Sequence, residues 1–147
     1  MEGLVIVVAV LLAASLIGLR HSRSGRRIGR ETRSPAGAGS RDDRPLVTAA
    51  DLGESLGERA TLVQFSSAFC QPCRATRRVL AGVAQDVAGV AHVEIDAESR
   101  LDLVRRLNVK RTPTVLVLDA AGRVVRRASG QPRTVDVVAA LGQAISA

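Results

Sequence analysis

The 147-residue sequence has no Trp or Tyr and only two Phe, so aromatic residues make up 1% of it. With 46% hydrophobic residues the chain can still build a core, but that core has to consist mostly of Val, Leu, Ala and Ile. The scarcity also removes the platform on which bases stack, and no aromatic residue is interleaved with the basic ones, so no nucleic-acid partner is expected. Cysteine is just as scarce. Cys70 and Cys73 are too few for a disulfide-stapled scaffold and too close together to cross-link distant parts of a fold. Two Cys and two His also fall short of the four protein ligands that structural zinc usually takes within one chain, and His21 lies near the N-terminal apolar run, far from the pair. No metal site is expected. Lysine is represented by Lys110 alone among 21 Lys and Arg residues. With the abundant Ala, this Arg bias reads as the codon bias expected of a GC-rich bacterial genome and not as a nucleic-acid signal. No internal repeat is visible.

What the chain does contain is unevenly placed. The net charge of +7 divides into −1 over residues 1–19, +5 over residues 20–44 and +3 over residues 45–147. Gly3 to Leu19 is a run of 17 residues without a charge, which at about 1.5 Å per residue crosses most of a hydrocarbon core roughly 30 Å thick. Residues 1–19 are therefore expected to be a single-pass membrane anchor. A cleaved signal peptide is the rival, but it needs a basic region ahead of the apolar run, and only Met1 and Glu2 stand there. The basic residues follow instead, at Arg20, Arg23, Arg26, Arg27, Arg30 and Arg33, and such flanks tend to stay cytoplasmic. The expectation is a bacterial cell-membrane protein with its domain on the cytoplasmic side. The reverse topology would place the same domain outside the cytoplasm. Residues 20–44 are rich in Arg, Ser and Gly, with Ile28 their only large apolar residue, and read as a basic flexible linker compatible with anionic headgroups.

Residues 45–147 read as one α/β domain. Leu46 to Leu52 suits a short edge strand leading into a turn or a brief helix that ends near Gly57. Thr61 to Phe65 is β-prone. After it, Val79, Leu80, Val83, Ala84 and Val87 recur at helical spacing, with Gly89 as the stop. Val90 to Ile95 reads as a strand and Leu101 to Leu107 as a helix with Leu103, Val104 and Leu107 on one face. Val115 to Leu118 and Arg123 to Ala128 form a hairpin across Asp119-Ala120-Ala121-Gly122. Val135 to Ile145 closes the chain as a helix with Val138, Leu141 and Ile145 inward, and Arg126 and Arg127 read as a solvated strand edge. The order predicts a parallel βαβ unit, a β-hairpin and a final helix.

Cys70-Gln71-Pro72-Cys73 falls at the junction of a strand and a helix. There the unpaired N–H groups and the positive end of the helix dipole stabilise a thiolate. Cys70 is assigned as the attacking sulfur and Cys73, three residues on, as the one that resolves the mixed disulfide. Pro72 suits a first helical turn, where a missing N–H costs nothing.

Val63-Gln64-Phe65, Phe69-Cys70-Gln71-Pro72-Cys73-Arg74 and Val109-Lys110-Arg111-Thr112-Pro113-Thr114 together resemble the thioredoxin family, over about Leu46 to Ala144. The resemblance implies a thioredoxin-like fold, with a central mixed β-sheet flanked by helices, and protein-disulfide oxidoreductase activity. No cofactor is implied beyond a redox-active Cys70–Cys73 disulfide. Partners would be protein thiols and disulfides and an upstream electron donor or acceptor, and a monomer is expected. Pro113 matches the family's cis proline opposite the cysteines, with Thr112 offering backbone groups to substrate. Gly130 matches the glycine after the hairpin that lets substrate approach. Phe69, Gln71 and Pro72 complete the expected substrate-binding residues. Phe69 and Gln71 depart from the family's usual Trp and Gly. Gln64 stands where a buried acid commonly helps deprotonate the second cysteine, and an amide cannot be that base. His92 falls roughly where the family often has a lysine, either in a functional role or as an ordinary strand histidine. Three roles follow: a tethered reductase, an extracytoplasmic oxidase, isomerase or cytochrome-maturation reductase, and a redox-sensing adaptor without turnover.

Overall fold

The structure, a computed structural model, describes residues 44–147. The expected anchor over residues 1–19 and all but the last residue of the linker lie outside it. Among the described residues no helix is long and apolar enough to cross a membrane. The elements run α1 (Ala49–Leu52), β1 (Ala60–Ser66), α2 (Gln71–Asp86), β2 (Val90–Asp96), α3 (Leu101–Arg106), β3 (Thr114–Asp119), β4 (Val124–Ser129) and α4 (Thr134–Ile145). The sheet order is β2-β1-β3-β4. β2 lies parallel to β1 and is reached through α2, as a parallel pair requires, whereas β3 is antiparallel to both β1 and β4. The βαβ unit, hairpin and final helix are those the sequence predicts.

β1 is buried at every position because both faces of the sheet are covered. Its alternation sorts side chains between two cores. Val63 and Phe65 join Val93, Ile95, Leu116 and Leu118 beneath Leu52 of α1 and Leu103 of α3. Leu62 points the other way, with Val115 and Val117, against Leu80 and Val83 of α2 and Leu141 of α4.

Two expectations are corrected. The inward face of α4 is Val137, Ala140, Leu141 and Ala144, while Val138 is 51% exposed. The two alanines carry little hydrophobic signal, yet they hold i, i+3, i+4 spacing with Val137 and Leu141 and bring the helix close to the sheet. In the Leu46 to Leu52 segment, Leu46 makes an edge bridge to Arg123, and the helical turn behind it ends at Gly53 (φ 75°), not near Gly57. Thr48 and Asp51 close a reciprocal capping box that starts this turn. Arg126 and Arg127 are exposed on the edge strand β4, as expected, and Arg127 also reaches a neighbouring element. Its guanidinium donates to the carbonyls of Leu107 and Asn108, fastening the end of α3 where Asn108 takes a left-handed φ of 53°.

The β3–β4 turn forms as its composition suggests. The Asp119 carboxylate accepts from the N–H groups of Ala121 and Arg123, each at 2.9 Å, and Gly122 supplies the positive φ of 82°.

Candidate active site

Cys70 and Cys73 stand at the N-terminus of α2, immediately beyond the C-terminal end of β1, and are joined by a disulfide with their Cα atoms 5.2 Å apart. Cys70 is the N-cap, in extended conformation, and its N–H donates to the Ser67 carbonyl at 3.2 Å. It is partly exposed, whereas Cys73 is only 2% exposed. This asymmetry suits one sulfur that meets an incoming disulfide and a second that reaches it from beneath. Pro72 lies in the first helical turn, and its carbonyl accepts the Thr76 hydroxyl at 3.0 Å. No acidic residue occupies that turn, and Arg74 follows Cys73 directly. Unpaired helix N–H groups and a neighbouring cation both favour a thiolate at Cys70.

The second motif meets the first. Ser67 Oγ lies 3.0 Å from Thr112 Oγ1, linking residues 45 positions apart. The Thr112–Pro113 peptide is cis, as the resemblance implied. Pro113 is buried and Thr112 partly exposed. Gly130, with φ 93°, donates its N–H to the Pro113 carbonyl at 2.7 Å, and a Cβ there would meet nothing within 4 Å. Cys70, Thr112, Pro113 and Gly130 are thus gathered by loops that the hydrogen bonds fix together. Phe69 is 97% exposed, and Gln71 and Pro72 are also on the surface.

Beneath Cys73 the site is polar. Gln64 is fully buried, and its amide nitrogen donates to the Cys73 carbonyl and to Ser66 Oγ, both at 2.9 Å. The carbonyl can only accept, so it fixes which end of the amide faces it. Among the described residues, Gln64 Oε1 and His92 Nε2 are buried without a hydrogen-bond partner. Ser66 Oγ donates to Glu94 Oε1 at 2.5 Å, and Arg77 binds the same carboxylate at 2.5 and 2.8 Å. Burial pushes the Glu94 carboxyl up, but the bonds from Arg77 and Ser66 outweigh it and hold it below its ordinary value. Burial pushes the His92 imidazole down, with Arg77 adding to that and Glu94 and Glu54 opposing it.

A cleft of about 380 Å³ opens beside the cysteines, lined among others by Ser66, Cys70, Cys73, Arg74, Arg77 and Glu94. His92 does not line it. Sequence reasoning passed over Ser66, Arg77 and Glu94. Only the parallel register, which pairs Gln64 with Glu94 and Ser66 with Asp96, reveals that β2 carries an acid next to the buried amide. Among the described residues no three His, Cys, Asp or Glu side chains gather as a metal site would require.

Comparison with known proteins agrees with this geometry. The family model Thioredoxin matches residues 47–143. Comparison with curated protein sequences gives no match. Among solved structures, chloroplastic thioredoxin z is 26% identical, with a TM-score of 0.55, covering 61% of this chain and 81% of its own. Thioredoxin f from spinach chloroplast is 20% identical, with a TM-score of 0.53 and coverage of 60% and 78%. The thioredoxin of Fasciola hepatica is likewise 20% identical, with a TM-score of 0.53 and coverage of 60% and 83%. A cysteine pair at disulfide distance in such a domain is the site of a thiol-disulfide oxidoreductase. The family match spans nearly all of the described residues, and the chain belongs to the thioredoxin family.

Proposed function

We propose that the protein is a membrane-tethered protein-disulfide reductase, anchored through residues 3–19, with its domain on the cytoplasmic side. The observation that carries the chemistry is the Cys70–Cys73 disulfide at the start of α2, with Cys70 partly exposed, Cys73 buried, and cis-Pro113 fastened beside them. The Cys70 thiolate attacks a substrate disulfide and forms a mixed disulfide. Cys73 then displaces the substrate and leaves the pair oxidised, as it stands in this structure. Phe69, Gln71, Pro72, Thr112, Pro113 and Gly130 form the surface along which a substrate segment lies. An upstream dithiol protein recharges the pair, no further cofactor takes part, and the protein acts as a monomer. The reducing cytoplasm favours the dithiol form and hence this direction.

The test is turnover of insulin disulfides by the full-length chain with a chemical reductant supplied. Cys70→Ser is expected to abolish it, and an unchanged rate would sink the role given to Cys70. Gln64, a buried amide without acid–base function, favours one second reading, in which the dithiol switches the binding of a partner without multiple turnover. Stoichiometric exchange without catalysis would select it.

A further inference from the structure

Resolution of the mixed disulfide releases one proton from Cys73, and Gln64, which touches the Cys73 carbonyl, has no titratable group to take it. The cleft offers another destination. Hydrogen bonds run without a break from the Cys73 carbonyl through Gln64 Nε2 and Ser66 Oγ to the Glu94 carboxylate, at 2.9, 2.9 and 2.5 Å. Arg77, one helical turn after Cys73, clamps that carboxylate on its other side. Glu94 and Cys73 line the same cleft of about 380 Å³, which has room for several waters at about 30 Å³ each.

We propose that Glu94 is the proton acceptor for Cys73 in the resolving step, an inference that rests on the thiol-disulfide exchange proposed above. As Cys73 attacks, its thiol proton crosses the cleft to Glu94, and the sulfur's electron pair forms the bond to Cys70. The bond between Cys70 and the substrate sulfur breaks, and the departing thiolate takes a proton from solvent. The protein's dithiol is oxidised and the substrate disulfide reduced by the same two electrons.

The charged groups facing Glu94 are Arg74 and Arg77 of α2 and, on its own strand, His92 and Asp96. Asp96 is turned to the backbone N–H of Glu98, and His92 stays outside the cleft. Glu94, kept acidic by Arg77, is ionised throughout the neutral range. It is a modest base, yet a far stronger one than water, the acceptor that would remain in its absence. A resident base of this kind makes resolution independent of pH. Without it, attack needs preformed thiolate, and the rate climbs with hydroxide.

The reduced full-length chain mixed with an aromatic disulfide that releases a coloured thiol separates these cases. The first release reports attack by Cys70, and the second reports resolution by Cys73. The wild type is expected to hold the second rate level between about pH 6 and 8. Glu94→Gln, which can still accept from Ser66, should rise about tenfold per pH unit and lag the wild type by about 10²-fold at the acid end. Glu94→Asp and His92→Gln should keep the plateau. A Glu94→Gln profile like that of the wild type, or loss of the plateau in His92→Gln instead, would overturn the assignment. Absence of the first release in the wild type would instead refute the exchange reading itself.

Discussion

The two faces of the sheet are built on different terms. Val63 and Phe65 look onto a face closed by α1 and α3, where the core is apolar and the buried hydroxyls that share it, Thr61 and Thr114, are each satisfied by a nearby backbone group. Leu62, Gln64 and Ser66, alternating with Val63 and Phe65 along the same strand, look toward α2. There the packing is apolar only at the end far from the cysteines. Under Cys73 it gives way to Gln64, Ser66 and Thr76, all buried, with Glu94 beside them. The same face tolerates two buried polar atoms without partners, Gln64 Oε1 and, beside Leu62, His92 Nε2, each a liability of about 1–3 kcal/mol. The difference teaches a division of labour. One face supplies stability by burial, and the other gives up part of its burial to hold the resolving cysteine in a hydrogen-bonded setting.

The strongest way to break this comparison is to empty the apolar face. Phe65 is fully buried among Val, Leu and Ile side chains, and Phe65→Ala is expected to cost about 3–5 kcal/mol. Denaturant unfolding would show this as a lower midpoint, while the attack rate of Cys70 in the molecules that remain folded should hardly move. A loss below about 1 kcal/mol would mean that the face is not the store of stability described here.

The neighbouring residue sharpens the contrast, because its side chain points to the other face. Gln64→Leu keeps the approximate volume, deletes the unpartnered oxygen and leaves the Cys73 carbonyl and Ser66 without their donor. These effects oppose one another, so stability should stay within about 1 kcal/mol of the wild type. Resolution by Cys73 should nonetheless slow about tenfold as its backbone loses its anchor. Unfolding and second-release kinetics on the same variant check both halves. A destabilisation matching that of Phe65→Ala would erase the distinction between the faces.

What the sequence disclosed follows the same divide. Elements with strong local signals were legible: the alternating and helical periods, the Asp119–Gly122 turn, and Cys70 and Cys73 at a strand–helix junction. Thr112, Pro113 and Gly130 could be placed through resemblance, since the loops that join them to the cysteines are distant in sequence. Glu94 and Ser66 were not legible as partners, because they meet through the register of a parallel pair separated by a whole helix. The inward face of α4 was misread because Ala140 and Ala144 count for little on any hydrophobic scale. Arg127 is exposed on the edge strand as its charge suggests, but a long charged side chain gives no hint that two carbonyls await its guanidinium.

The smallest expected effect tests whether the apolar face is secured by anything besides burial. At its rim, Asp51 of α1 binds Arg106 of α3 at 2.6 Å and also accepts from Thr48, so one carboxylate joins the two helices that cover this core. The hydrogen bond from Arg106, then that from the Thr48 backbone, lower its pKa from 3.8 to about 2. A folded-state pKa below the unfolded one gives stability that is fully present above about pH 4 and is lost as pH falls through about 2. Because Arg106 is half exposed, solvent screens the pair, and the contribution should be about 0.5–1 kcal/mol. Unfolding midpoints measured from pH 5 down to 2 should therefore fall more steeply for the wild type than for Asp51→Asn. Parallel curves would show that the clasp adds nothing, and that the apolar face is held by its buried side chains alone.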